Sequence, residues 1–258
     1  MRLLVTNDDG IDSVFLHELV RALIAADHRV FVAAPRVEQS WTGASKSRNR
    51  PVASEACDRG LGCPTWSIDG TPSDCVNIAI SHLLPEAPEA VLSGINVGLN
   101  TGVGFILGSG TVAGACEGAM HGIPGVALSQ SVHPAVYDHL KEAGGRPDTA
   151  LLALLRISAA HAARIAPALA AATPARSFIV HNLNFPYPCS AHACVVRTVP
   201  ARTLLPGLFS PRDADGAHRL VFKIGDSLPQ QGEETDRSAL EAGHISHTVL
   251  DFSKLGSI

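Results

Sequence analysis

The first residues able to do chemistry are two adjacent carboxylates near the start of the chain. Asp8 and Asp9 follow the apolar run of residues 3–5 and precede Gly10, which permits a tight turn. Two like charges at one site raise at least one pKa unless a cation neutralises them, and Mg²⁺ prefers oxygen ligands. A turn with a helix-capping Asp is the alternative. The pair alone leaves both interpretations open.

Two later stretches carry further polar groups and glycines. Residues 36–47 read R-V-E-Q-S-W-T-G-A-S-K-S, with many hydroxyls and Gly43. Such a loop suits an anion or a metal, or is simply solvated. Residues 93–102, S-G-I-N-V-G-L-N-T-G, follow an apolar run and do not match the dinucleotide fingerprint G-x-G-x-x-G. Asn96 lies just past a predicted strand end, as Asp8 does, so both can face one crevice.

A third segment resembles an anion site. Ser109, Gly110 and Thr111 open a predicted helix that continues to Met120. Free backbone N–H groups, hydroxyls and the positive end of the helix dipole together favour a phosphate. The alternative is that Ser109 or Thr111 is only the N-cap.

The elements that must position these residues alternate between strands and helices. Apolar runs at residues 3–5, 29–34, 90–92 and 125–129 predict strands, and helical spacing of apolar residues predicts helices between them. This alternation is typical of an α/β fold with a mostly parallel sheet. Beyond residue 185 the pattern changes, and residues 193–199 and 220–224 predict strands among Pro- and Gly-rich loops. We therefore expect a catalytic domain at 1–185 and a C-terminal extension at 186–258.

Composition narrows the class of protein. The chain has 258 residues, of which 46% are hydrophobic and 17% charged, so a sizeable core is available. The formal net charge of −4 argues against a generic nucleic-acid surface. The sequence lacks the zinc-binding pattern H-E-x-x-H and the nucleophile pattern G-x-S-x-G, which disfavours a zinc site of that type and an α/β-hydrolase. No signal peptide or membrane helix is expected, so the prediction is a cytoplasmic protein that binds neither nucleic acid nor a membrane.

Taken in order, the motifs resemble the SurE family of metal-dependent phosphatases that act on nucleoside monophosphates. The matching stretches are V-T-N-D-D-G at 5–10, A-P-R-V-E-Q-S at 34–40, T-G-A-S at 42–45, G-T-P-S-D-C-V at 70–76, S-G-I-N-V-G-L-N at 93–100, S-G-T-V at 109–112 and T-D-R-S-A-L-E-A-G-H-I-S at 235–246. No single motif is decisive, but the ordered set is highly specific.

The resemblance implies a Rossmann-like fold, with helices on both faces of the sheet and a C-terminal extended or hairpin segment used for oligomerisation. It implies one divalent metal ion, Mg²⁺ or Mn²⁺, held by oxygens that come from three separate turns. These ligands are Asp8, Asp9, Ser40 and Asn96, and the two aspartates are the candidate catalytic residues. The implied substrate and phosphate contacts are Asn7, Thr42, Gly43, Ser45, Asn100, Ser109, Gly110 and Thr111. A homodimer or homotetramer is expected.

The sequence departs from the family pattern at a few positions. Val14 and Phe15 stand where a Pro-Gly pair is common, and Gly108 stands where an aromatic residue or His usually precedes Ser-Gly-Thr. We expect these positions to lie near the pocket and to affect substrate choice. Three functions remain open: a nucleoside monophosphate phosphatase, a related phosphatase specialised for another phosphomonoester, and a non-catalytic nucleotide-binding module.

Overall fold

The protein is built on one nine-stranded, mostly parallel sheet. The computed structural model describes residues 1–221 and 223–256. The sheet order is β3-β4-β2-β1-β5-β6-β7-β11-β8, and a separate two-stranded ladder pairs β9 with β10. The strands are β1 (Arg2–Thr6), β2 (Arg29–Pro35), β3 (Ser54–Ala56), β4 (Thr65–Ile68), β5 (Ala90–Val97), β6 (Gly125–Gln130), β7 (Ile179–Phe185), β8 (Val195–Thr198), β9 (Thr203–Leu204), β10 (Asp226–Ser227) and β11 (Ile245–Asp251).

Helices cover both faces of this sheet, as expected. They are α1 (Val14–Ala25), α2 (Pro72–Ile78), α3 (Val103–Gly108), α4 (Gly110–Met120), α5 (Pro134–Glu142), α6 (Thr149–Ala172) and α7 (Asp236–Glu241). A π-helical turn extends α2, and a 3₁₀ turn follows β11. Helices α1 and α6 pack together on one face, whereas α2 and α4 pack together on the other. The predicted α/β fold class is therefore confirmed.

The strand order reverses between β1 and β5. The chain runs from β1 outward through β2 to β4, then returns to place β5 on the other side of β1, and continues through β6 to β7. These six strands are parallel. Open α/β sheets bind ligands in the crevice outside the carboxyl ends of the strands at such a switch point. Asp8 and Asp9 follow β1 directly, so the topology places them beside that crevice.

Helix α4 sits unusually close to the sheet because glycines line its inner face. A Cβ added at Gly118 would lie 2.6 Å from Val91 Cγ2, and one at Gly114 would lie 2.8 Å from Ser93 Oγ. On the sheet side, a Cβ at Gly125 would lie 2.1 Å from the Ala115 carbonyl oxygen. These contacts bring the N-terminus of α4 to the crevice.

The N-cap of α2 is Thr71, with Asp74 completing a capping box. Local details differ from the sequence expectations in two places. Strand β5 continues through Val97, with a register shift between Ser93 and Asn96, so Asn96 lies within the strand and not past its end. The strand predicted at 220–224 includes a residue outside the described ones, and Leu220 forms only an isolated bridge with Phe209.

Among the helices of the described chain, α6 is the one whose length and apolar composition would allow it to cross a membrane. Half of its apolar stretch is buried, however, and it packs against α1, β5 and β6. This burial is that of a core helix of the α/β fold.

A directed hydrogen-bond chain joins β7 to β11. Thr173 Oγ1 donates to the Leu169 carbonyl oxygen, so it accepts from His181 Nε2 at 2.7 Å. His181 Nδ1 must then accept from His247 Nε2, which lies 2.9 Å away. Burial lowers the pKa of both imidazoles to about 4, and the positive charge of Arg197 acts in the same direction. Both histidines are therefore neutral at pH 7.

Because the folded pKa of each histidine lies below the unfolded value of about 6.5, the unfolded chain binds more protons between pH 6.5 and 4. We expect the contribution of the pair to stability to be complete above pH 6.5 and to be lost as pH falls toward 4. Urea unfolding of wild type and His247→Gln across this range measures it. The variant should show the smaller acid-induced loss, whereas His82→Gln, at an exposed position, should follow wild type. Parallel curves for wild type and His247→Gln would contradict the assignment.

Candidate functional site

Asp8 is fixed at the end of β1 by helix α4. Its Oδ1 accepts a hydrogen bond of 2.6 Å from the Thr111 hydroxyl, and only 4% of the residue is exposed. Burial raises the pKa of Asp8 from 3.8 to about 6, although the Thr111 hydrogen bond opposes this rise. Thr111 is fully buried, so its hydroxyl holds Asp8 in place.

Asp9 points to the neighbouring strand of the switch point. Its Oδ2 accepts from the Val97 backbone N–H at 2.9 Å, which ties the β1 turn to the end of β5. Burial raises the pKa of Asp9 well above 3.8, and the negative charge of Asp8 raises it further. The turn therefore holds two carboxylates that repel each other in a poorly hydrated setting, which is the arrangement a bound cation stabilises.

Two amides flank the carboxylates. Asn7 Nδ2 donates to the Gly10 carbonyl oxygen at 2.9 Å, whereas its Oδ1 is buried without a hydrogen-bond partner among the described residues. Asn96 Nδ2 donates to the Gly98 carbonyl oxygen at 3.0 Å, which leaves Oδ1 as the atom able to accept or ligate. Asn96 lies within β5 next to Val97, so it lies beside the backbone group that binds Asp9.

The fourth predicted ligand comes from residues 36–47, which we call the Ser40 loop. The Gln39 backbone N–H donates to the Asp8 carbonyl oxygen at 2.7 Å, so this loop runs directly beside the β1 turn. Ser40 is exposed, and its hydroxyl donates to Glu38 Oε1 at 2.7 Å. Since its proton is committed to Glu38, the Ser40 oxygen keeps its lone pairs for another partner.

The phosphate residues predicted at the start of α4 reach the same turn. Ser109 is the N-cap, its Oγ accepting from the Val112 N–H at 3.0 Å. A Cβ at Gly110 would lie 2.9 Å from Asp8 Cβ, so only glycine allows the helix start to approach Asp8 this closely. The Val112 N–H is thus capped by Ser109, and the Thr111 N–H bonds Asp8, so the first turn of α4 lies against this carboxylate.

The Ser40 loop contacts this helix start through Gly43. The Gly43 N–H donates to the Gly108 carbonyl oxygen at 3.1 Å, and Thr42 Oγ1 donates to the Gln39 carbonyl oxygen at 2.8 Å. Gly43 therefore lies against the end of α3, beside the start of α4, whereas the Thr42 hydroxyl is bonded within the loop.

Two predicted contacts are turned toward other partners. Asn100 Nδ2 donates to Ser129 Oγ, its backbone N–H donates to Asn184 Oδ1, and its carbonyl oxygen accepts from Asn182. These bonds make Asn100 part of a buried amide cluster that joins β5 to β7. Ser45 has an exposed side chain, and its carbonyl oxygen accepts from Thr71.

The departures from the family pattern also have a structural explanation. Phe15 is 1% exposed and belongs to the main core. It therefore packs inside the protein and does not line the crevice, although we expected it near the pocket. Gly108 does lie at the site. A Cβ there would be 3.2 Å from Trp41 Cε3, so the Trp41 ring occupies the space beside the Gly108 backbone.

Sequence reasoning missed two residues near the site. The negative charge of Glu38 raises the pKa of both Asp8 and Asp9, which places it within electrostatic reach. Burial raises the pKa of Tyr137 on α5, and the charges of Glu38 and Asp9 add to that rise. Glu38 stands two residues before Ser40, and its position beside a candidate ligand was the sequence signal that could have identified it. Tyr137 had none, because its helix is remote in sequence.

The donor set suits a hard divalent cation. Among residues 1–221 and 223–256, no three His, Cys, Asp or Glu side chains converge as a metal cluster. A cation here would therefore rely on Asp8, Asp9 and neutral oxygens of Ser40 and Asn96. Two carboxylates with neutral oxygens and water is a typical Mg²⁺ environment, and the orphaned Asn7 Oδ1 supplies an acceptor for such a water.

The fold and the site together define an α/β protein with an acidic, oxygen-rich site and a helix N-terminus at its topological switch point. Comparison with known proteins specifies the group further. The family model described as "Survival protein SurE" matches residues 3–203, and the chain belongs to the SurE family.

Relatives agree with this membership. A protein named 5'-nucleotidase SurE from Solidesulfovibrio magneticus is 36% identical over 258 residues, covering 98% of this chain and 92% of the relative. Its namesake from Desulforudis audaxviator is 46% identical over 134 residues, and this and similar alignments span about half the length of each chain. The crystal structure of the SurE protein from Aquifex aeolicus superposes with a TM-score of 0.73 at 26% identity, covering 100% of this chain and 98% of that one.

Asp8→Asn should stabilise the metal-free protein at neutral pH. Because the folded pKa is raised from 3.8 to about 6, the native state binds more protons, and stability falls as pH rises through that window. Removing the charge should recover about 1–3 kcal/mol at pH 7.5. Urea unfolding in EDTA at pH 7.5 and pH 4 checks this, with Asp215→Asn, at an exposed position, as control. A destabilised Asp8→Asn at pH 7.5 would refute the buried-charge description.

Proposed function

We propose that the protein is a metal-dependent phosphomonoesterase that hydrolyses nucleoside monophosphates to nucleoside and phosphate. The observation that carries the proposal is the adjacent Asp8–Asp9 pair at the switch-point crevice, where Thr111 donates to Asp8 and Gly110 lets the start of α4 lie against it. The relatives named 5'-nucleotidase support a nucleotide as substrate.

One divalent cation, Mg²⁺ or Mn²⁺, would be held by Asp8, Asp9, Ser40 and Asn96. Such an ion polarises a phosphoryl oxygen and neutralises charge that develops during displacement by water. Thr111 keeps Asp8 oriented, and the Val97 N–H keeps Asp9 oriented. The N-terminus of α4 would hold the remaining phosphoryl oxygens with the positive end of its dipole, while the Thr111 N–H is already bonded to Asp8.

A related proposal concerns the substrate. Gly108 carries no side chain, and Trp41 fills the adjoining space, so the wall beside the helix start is built from the Ser40 loop. This difference favours a specialised phosphomonoester as the second candidate. The third candidate, a non-catalytic nucleotide-binding module, does not require two carboxylates to be held in a position that costs stability.

The first activity test is metal-dependent phosphate release. Wild type with Mn²⁺ or Mg²⁺ should hydrolyse nucleoside monophosphates, and Asp8→Asn should lower kcat/KM at least about 100-fold, because one ligand and its charge are lost. Phosphate release is measured over a panel of nucleotides and sugar phosphates, with Asp251→Asn as control. A preference of about 100-fold for a base-free ester would favour the second candidate. Undiminished turnover in Asp8→Asn would disprove the metal assignment.

We also propose that residues 186–258 form an extension that packs on a partner subunit, giving a homodimer or homotetramer. The part of the chain from β9 to just past β10 exposes many large apolar side chains, which argues for a protein contact. They are Leu204, Leu205, Phe209, Leu220, Val221, Ile224 and Leu228. The cytoplasmic location and the lack of nucleic-acid and membrane partners remain predictions from the sequence.

Light scattering after size-exclusion chromatography tests the assembly. Wild type should elute as a dimer or tetramer, and Phe209→Glu, which places a charge on a side chain that is 63% exposed, should shift the population toward monomer. Met120→Glu, at an exposed apolar position outside the extension, is the matched control. A monomeric wild type at micromolar concentration would refute the proposal.

A further inference from the structure

The Ser40 loop carries a candidate metal ligand, yet it has little regular structure of its own. No helix or strand spans residues 36–47. Trp41 adopts a left-handed backbone conformation with φ of 63°, which is strained for a bulky residue. Its ring packs beside Gly108 and lies 5.6 Å from the Phe105 ring. A strained conformation of this kind persists only when the surroundings fix it.

The far end of the loop has three connections to the neighbouring helices. The Thr71 hydroxyl donates to the Ser45 carbonyl oxygen at 2.8 Å. The Ser47 N–H lies 3.2 Å from both carboxylate oxygens of Asp74. Between them, Lys46 Nζ lies 2.6 Å from Glu117 Oε2 on α4. Of these three connections, the contact between Lys46 and Glu117 is the ion pair.

Glu117 depends on this pairing. Its side chain is only 7% exposed, and it lies on the helix whose N-terminus faces Asp8. Asn77 Nδ2 donates to Oε1 at 2.8 Å, and His121 Nε2 lies 3.3 Å from the same oxygen. Lys46 thus supplies the positive charge that pairs with the buried carboxylate of Glu117. Opening the loop would leave this carboxylate without a cationic partner. Losing the partner of a buried charge is strongly unfavourable.

We propose that Lys46 is a positioning residue: its ion pair with Glu117 closes the Ser40 loop onto α4 and thereby holds Ser40 and Gly43 at the cation and phosphate sites. The proposal rests on the proposed function. Ser40 and Gly43 lie on one continuous segment with Lys46, and this segment is bonded to Asp8 at Gln39 and to Gly108 at Gly43. Releasing Lys46 therefore loosens the segment while leaving Asp8, Asp9 and Asn96 in place.

The experiment compares Lys46→Met, Lys46→Arg and the double variant Lys46→Met/Glu117→Gln with wild type. Mn²⁺ affinity is measured by calorimetry, amide exchange of residues 39–47 is followed in the metal-free protein, and KM and kcat are measured at saturating Mn²⁺. Lys254→Met removes a remote ion pair with Asp251 and is the control.

We expect Lys46→Met to weaken Mn²⁺ binding about tenfold, in the range found for residues that orient metal ligands. KM should rise with kcat within about twofold, and the Gly43 amide should exchange faster. Lys46→Arg, which retains the charge, should recover most of the affinity. The double variant should recover thermal stability, because no buried carboxylate is left unpaired, but its Mn²⁺ affinity should stay low.

Two results would overturn the proposal. One is a double variant that regains Mn²⁺ affinity together with stability, since the ion pair would then act only on the fold. The other is a Lys46→Met variant with wild-type affinity and wild-type exchange. If wild type binds Mn²⁺ but hydrolyses no nucleoside monophosphate, the proposed function fails, whereas affinity and exchange still decide the role of Lys46.

Discussion

The structure depends on keeping two like-charged carboxylates together in a poorly hydrated turn. Burial raises the pKa of both Asp8 and Asp9, and the negative charge of Asp8 raises that of Asp9 further, so the folded protein loses free energy to hold them there. Specific donors partly offset this cost, the Thr111 hydroxyl on Asp8 and the Val97 N–H on Asp9. Their positions follow from the fold, because one donor lies on α4 and the other at the end of β5.

Glycines on α4 allow this helix to lie close to the sheet and to Asp8. Gly114 and Gly118 let α4 lie against β5, and Gly110 lets its first turn lie against Asp8. With side chains at these positions the helix would stand farther from the sheet, and its first turn would no longer lie against Asp8. The site therefore combines a negative pair and a positive helix end within one crevice, which suits a cation bridging to an anion.

The Ser40 loop shows how irregular backbone is held at such a site. It is bonded to the β1 turn at Gln39 and to Gly108 at Gly43, and Trp41 packs over a position that has no side chain. The loop therefore forms part of the crevice wall, although its residues lie far from Gly108 and Ser109 in sequence. Ser40 itself points to Glu38, which orients the hydroxyl and adds negative charge near the pair.

The sequence by itself determined the α/β class and most strand and helix positions, because apolar periodicity is a local property. Its spacing also indicated that Asp8 and Asn96 can face one crevice, whereas the set of metal ligands came from the resemblance to the SurE family. The sequence also indicated the helix start at Ser109, where local spacing is enough. Only the tertiary structure decided what each group contacts: Thr111 binds Asp8, Asn100 joins a buried amide cluster, and Phe15 packs in the core. Lys46 pairing with Glu117 and His181 pairing with His247 were likewise invisible, since each joins residues more than 60 positions apart. Such contacts depend on strand order and on how closely helices pack, and neither is encoded in any short stretch of the chain.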